Sequence, residues 1–200
     1  MTKGEKNIGT FTMNTEKFGK LRPIDDSELL TMLSWRNQEN VRKNMYNTHI
    51  ISEKEHFAWY ERSVRNNPSV QYFMYENAQQ KAMGVFAFTE IDPQKHHSFF
   101  DIYTAPNTPK GTGSCMMFLA LEYAFNVLKF HKLNCEVLAH NQIAQNFYHK
   151  FGFQQEGFFR EHHLHEGQFC GVYRLAILEK EWQTQRPILF SKLSNHFQAA

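Results

Sequence analysis

Residues 108–125 read TPKGTGSCMMFLALEYAF, and their reading decides the fold. Pro109, Gly111 and Gly113 make a stiff loop with few side chains, and a Met-, Phe- and Leu-rich run follows that is long enough for about three helical turns. The first turn of a helix carries unpaired backbone NH groups and roughly half a positive charge, so a glycine loop entering it suits a phosphate. Lys110 adds a mobile positive charge. An ordinary strand-to-helix turn is the plainer account of an isolated Gly-x-Gly. The loop is not a Walker A motif, which needs Gly-Lys-Ser/Thr, nor the dinucleotide fingerprint, whose third glycine is missing.

On either side the chain alternates between helical and strand-like periods. DDSELLTMLSWRN begins with the capping residues Asp25, Asp26 and Ser27 and sets Leu29, Leu30 and Leu33 on one helical stripe. Ser52 and Glu55 have capping-box spacing for a second helix, which stops by Asn67 because Pro68 follows. VQYFMYE and MGVFAFTEI read as a hairpin around NAQQKA, SFFDIYT as a third strand and KLNCEVLAH as a fourth, beyond the glycine-led helix. NQIAQNFYHKFG is a short helix capped by Asn141 and stopped by Gly152. Two closing strands turn at Glu166 and Gly167. The order predicts an α/β (α+β) fold, a mixed, mostly antiparallel twisted sheet flanked by helices, with one strand-helix-strand crossover. The expected boundaries are a leader over 1–20, a domain over 21–182 and a tail over 183–200.

Composition narrows the classes. A chain of 200 residues, 42% hydrophobic, supports one core. Its 22 basic and 20 acidic residues are interspersed, which speaks against nucleic acid as the main partner. Three separated cysteines without a CxxC pair suit a reducing cytoplasm, and no stretch reaches the roughly 20 apolar residues of a membrane span. His140, His162, His163 and His165 lack a matching Cys or carboxylate cluster, so no metal is expected, and Cys170 has no paired base.

The glycine loop and Asn141–Phe153 together resemble the GNAT superfamily of acetyl-CoA-dependent N-acetyltransferases. That family uses a Gln/Arg-x-x-Gly-x-Gly/Ala loop and an Asn-x-x-Ala-x-x-x-Tyr-x-x-x-Gly-Phe segment. Both glycines match, Thr108 stands where Gln or Arg is usual, and the second segment matches throughout. The resemblance implies acetyl-CoA as co-substrate, held by Lys110, Gly111, Thr112, Gly113 and Ser114, by Asn141, Ala144 and Asn146, and by the main chain of Ile102, Tyr103 and Thr104. It implies Tyr148 as the acid that protonates the departing thiolate.

WRNQENVRKNMYNTHIISEKEHFAWYE, residues 35–61, further resembles the PseH-type enzymes, which acetylate the 4-amino group of UDP-4-amino-4,6-dideoxy-N-acetyl-β-L-altrosamine on the route to pseudaminic acid and flagellin glycosylation. By that likeness the acceptor is a UDP-amino-sugar. Arg36 offers a planar fork to a diphosphate, Met45, Tyr46 and Trp59 an apolar, stacking wall, and His56 a hydrogen bond. Strand alternation turns Glu136 away from Cys135 and Val137 and makes it the expected base, with Asp101 and His140 in reserve. Three alternatives stay open: acetylation of protein N-termini or ribosomal proteins, a non-catalytic acetyl-CoA or nucleotide-binding module, and, for quaternary structure, a homodimer in place of a monomer.

Overall fold

The structure is a computed structural model that describes residues 15–198, the last three by backbone alone. A seven-stranded sheet carries it, in the order β1-β2-β3-β4-β5-β7-β6. The strands are β1 (Lys20–Pro23), β2 (Gln71–Glu76), β3 (Ala82–Asp92), β4 (His97–Thr104), β5 (Lys132–Leu138), β6 (Gln154–His165) and β7 (Gln168–Leu178). Of the six pairings among these strands only β4 with β5 is parallel. The crossover between those two is α4 (Thr112–Glu122), extended by one π turn to Val127. This is the mixed α/β architecture that the strand and helix order implied.

One face of the sheet is covered by α1 (Leu29–Arg36), the single turn α2 (Glu39–Arg42) and α3 (Glu53–Ser63). Both longer helices start as their caps dictate. Asp25 and Glu28 close a capping box on the 3-10 turn Asp26–Glu28 that leads into α1, and Ser52 accepts from the Glu55 backbone NH at the start of α3. Leu29, Met32 and Tyr60 bury themselves against Met74 and Val85. Leu30, expected on the buried stripe, is 49% exposed, and Met32 takes its place. Residues 29, 32 and 33 follow the helical stripe; residue 30 lies a hundred degrees off it.

The opposite face carries the larger core, under α4, α5 (Gln142–Lys150) and α6 (Glu179–Gln198). The expected boundaries need correcting at both ends. Residues 1–14 of the leader lie outside the described residues, but Phe18 is fully buried and packs edge-on against Phe118 and Phe190. The expected tail from 183 continues α6 through Pro187, and Leu189 is buried. Arg186 makes a two-pronged bond to Glu122 at 2.6 and 2.7 Å, and Trp182 donates to the same carboxylate. Burial and this buried-edge ion pair offset the hydrogen bond that a mid-helix proline removes, which is why a local reading stops the element too early. No helix among the described residues is long and apolar enough to cross a membrane.

Candidate active site

The parallel contact of β4 with β5 is short. His97, Ser98 and Phe99 pair with Lys132, Leu133 and Asn134, and pairing ends there although both strands run on. Asn134 closes the apex by donating to the Ser98 carbonyl at 3.1 Å. Beyond it the strands splay and leave a groove of about 350 Å³, walled by Ile102, Tyr103, Thr104, Gly113, Val137 and Tyr148. Unpaired strand edges in such a wedge present NH and C=O groups to an extended ligand.

The start of α4 stands at one end of this groove. Gly111 caps it in the left-handed conformation, φ 94°, which a side chain would strain, and no side chain caps the first turn. The Thr112 hydroxyl turns back to the Pro109 carbonyl at 2.8 Å. At Gly113 an added Cβ would meet only Thr104 and Phe147, at 3.9 and 4.0 Å, so the protein's own packing does not require glycine there. The bare backbone there leaves room for an outside group such as the pyrophosphate of coenzyme A. The residues therefore fit that co-substrate. Lys110 is exposed at the loop.

Across the groove, Asn141 caps α5 by accepting from the Ala144 NH at 3.1 Å, and both residues line the wall. Asn146 does not join them. It is exposed and accepts from Gln142 one turn earlier, on the solvent-facing side of α5. Tyr148 is buried, 5.4 Å from the Phe100 ring and 5.6 Å from Phe153, and still borders the groove. Burial, with the nearby Cys135 and Asp101 adding to it, pushes its phenol well above the ordinary value, so the proton is held until a strong acceptor arrives.

A second cavity of about 520 Å³ opens beneath α3 and adjoins the groove at Met45, Asp101 and Tyr103. Arg36, Met45, Tyr46, His56 and Trp59, the five residues expected at the acceptor, all line it. They come from α1, α3 and the loop between α2 and α3. Asn37 staples that loop shut, donating to the Ile51 carbonyl and accepting its NH at 2.8 and 2.9 Å. Arg42 adds a bond to the Thr48 carbonyl.

Two polar groups at the cavity wall are unsatisfied. Arg36 donates one bond to the Asn47 carbonyl at 3.0 Å, while its Nη1 is buried without a partner. Burial lowers its pKa; the neighbouring Tyr103 and Asp101 oppose that. His56 is 4% exposed, stacks on Trp59 at 5.2 Å, and leaves Nε2 without a partner. Its pKa is lowered by burial, so the ring is neutral at pH 7. Buried polar groups left unsatisfied in this way are costly without a ligand.

The carboxylates differ in state. Both oxygens of Glu136 are engaged: Arg174 lies 2.8 Å from one, and the Tyr46 hydroxyl donates to the other at 2.5 Å. Asp101 opens into both cavities. Its surface is exposed through the cavity, yet protein crowds it closely. Desolvation raises its pKa and Arg36 partly opposes the rise. His140 sits to one side, its ring 4.6 Å from His165 and its Nε2 3.2 Å from the Lys43 carbonyl. Tyr72 and Arg62 also line the acceptor cavity and went unread in the sequence, where Tyr72 passes for an ordinary strand residue. Among the described residues no group of three or more His, Cys, Asp or Glu is placed to hold a metal ion.

Residues 21–170 match the acetyltransferase (GNAT) domain family. The chain belongs to that family. It is thus an acetyltransferase, of a family that uses acetyl-CoA. Among its relatives, the spermidine N(1)-acetyltransferase of Vibrio cholerae serotype O1 is 26% identical over 163 residues, covering 81% of this chain and 94% of that protein. The acetyltransferase PseH of Campylobacter jejuni subsp. jejuni is 27% identical over 132 residues, covering 66% and 80%. A crystal structure of the Vibrio cholerae spermidine N-acetyltransferase with CoA and spermine superposes with a TM-score of 0.75 at 26% identity, over 82% of this chain and 97% of that one. A dodecameric structure of the same enzyme has a TM-score of 0.68 at 26% identity, over 82% and 95%. The spermidine enzymes and PseH thus match this GNAT chain at nearly equal identity, the spermidine enzymes over more of it. A polyamine acceptor was not among the readings drawn from the sequence.

Proposed function

We propose that this acetyltransferase moves the acetyl group of acetyl-CoA to the 4-amino group of a UDP-linked 4-amino-4,6-dideoxy sugar, UDP-4-amino-4,6-dideoxy-N-acetyl-β-L-altrosamine in the pseudaminic acid route. The observation that carries the reading is Arg36, a cation at the wall of the acceptor cavity with an unfilled donor. A diphosphate satisfies it; a polyamine is repelled by it, and by Arg62 in the same cavity. His56 Nε2 suits a sugar hydroxyl, and Trp59 with Met45 suits a base or a deoxysugar methyl.

Acetyl-CoA supplies the activated acetyl group. The NH groups around Gly111–Ser114, with Lys110 and the α4 dipole, hold its pyrophosphate, and the open β4 edge at Ile102–Thr104 pairs with its pantetheine arm. A main-chain NH on that edge polarises the acetyl carbonyl. Tyr148 donates its proton to the thiolate as the carbon–sulfur bond breaks. The dodecameric neighbour supports self-association of this chain, which mass photometry would read.

A second reading, spermidine N-acetylation, draws on the relatives' coverage and on Glu55 and Asp101, two acids in the acceptor cavity. The test is acetyl-CoA turnover with UDP-4-amino sugars, spermidine, spermine and N-terminal peptides in parallel. Turnover of the sugars at least a hundredfold above spermidine supports the proposal. Turnover of spermidine alone replaces it with the second reading.

A further inference from the structure

We propose that Asp101 is the base that takes the proton from the acceptor amine, and that Glu136 is an anchor that holds Tyr46 and its loop over the site. The argument rests on acetyl transfer to an amine and not on which amine it is.

Asp101 sits where the two cavities meet, the place a reacting nitrogen has to occupy if donor and acceptor approach from opposite sides. Its partner across β3 is Ala87, whose small side chain leaves the carboxylate room. Among the described residues no hydrogen bond or ion pair engages it, so its lone pairs are available. Glu136 is in the opposite condition. Both its oxygens already hold a donor, Arg174 on one and the Tyr46 hydroxyl on the other, so an incoming proton has to compete with them. Arg174 is itself fixed, its guanidinium 4.3 Å above the Phe99 ring. Through Glu136, Arg174 and Tyr46 are therefore linked in a chain of contacts that joins β5 and β7 to the loop after α2. That geometry positions a wall.

The step balances. The acceptor ammonium gives one proton to the Asp101 carboxylate, which becomes a carboxylic acid. The neutral amine forms the carbon–nitrogen bond, the carbon–sulfur bond breaks, and the thiolate takes the Tyr148 proton. The new amide nitrogen's surplus proton restores the tyrosine, and Asp101 releases its own to cavity water. A desolvated carboxylate with a raised pKa is a stronger base than a solvated one, which suits the task. Arg36 from α1 moderates that rise, Glu90 from β3 adds to it, and Tyr72 from β2 with Tyr103 on β4 complete the charged and titratable surroundings, α3 supplying Glu55 and neutral His56.

The test compares Asp101→Asn with Glu136→Gln in steady-state kinetics against pH, run in parallel with a UDP-4-amino sugar and with spermidine, so that a wrong acceptor and a wrong base fail separately. Asp101→Asn should lower kcat about 100- to 1000-fold, keep the acetyl-CoA Kd within about twofold, and remove the acid limb that wild type shows as pH falls through the Asp101 pKa. Added formate should partly restore Asp101→Ala, which a structural role would not allow. Glu136→Gln should keep the acid limb, raise acceptor KM several-fold and lower kcat less than about tenfold. Loss of the limb in Glu136→Gln, with its retention in Asp101→Asn, overturns the assignment. So does an Asp101→Asn enzyme with kcat within about tenfold of wild type, whichever acceptor is used.

Discussion

The groove between β4 and β5 and the cavity beneath α3 border one another, yet they are built in different ways. The groove is made of main chain: a splayed strand edge, a glycine in the left-handed region and an uncapped helix start. The cavity is made of side chains from α1, α3, β2, β3, β4 and a stapled loop. Main-chain recognition depends on local conformation and tolerates change in the surrounding residues. Side-chain recognition depends on long-range packing, and one substitution can alter it. A shared donor with varied acceptors is the expected result, and the relatives, which include spermidine enzymes and PseH, agree with it.

The sharpest test of this division is at Tyr148, which borders the groove and not the cavity. Tyr148→Phe should cut kcat about 100- to 1000-fold with the acetyl-CoA Kd unchanged within about twofold by calorimetry, since only the proton is lost. Near wild-type turnover would remove the tyrosine from the acid role. Next in size is Arg36→Ala, expected to raise acceptor KM about 10- to 100-fold and to spare acetyl-CoA affinity, the loss of one charge-assisted contact. An Arg36→Ala enzyme that turned over spermidine better than wild type would support the polyamine reading.

Gly111→Val tests the other side. A β-branched residue at φ 94° costs about 1–2 kcal/mol, so acetyl-CoA Kd should weaken about 10-fold while acceptor KM holds. Equal loss on both sides would mean that groove and cavity are not separable. Tyr46→Phe should have the smallest effect, a few-fold rise in acceptor KM, because it removes one hydrogen bond to Glu136 and keeps the ring.

Much of the groove was legible because its signals are local. Gly111 and Gly113, the Asn141 cap and the Gly152 stop lie within single loops or helices, and each has a short-range cause. The first and last elements were harder. β1 is four mixed residues that become a strand only by pairing with β2, and α6 runs through Pro187 only because Trp182, Arg186 and Leu189 find partners on distant segments. In the cavity, Arg36, His56 and Trp59 were picked out by pattern, but Tyr72 and Arg62 carry none. The roles of Glu136 and Asp101 also could not be ranked along the chain, since the difference lies in Arg174 and Tyr46, 38 and 90 residues away.

By itself the sequence determined the class of fold and the family, because capping, glycine conformation and strand alternation act over a few residues. The tertiary structure alone decided which carboxylate is engaged and which is open, which arginine keeps an unfilled donor at the cavity wall, and where the two cavities join. Those properties belong to pairs of residues brought together by the sheet, and no single stretch of chain contains them.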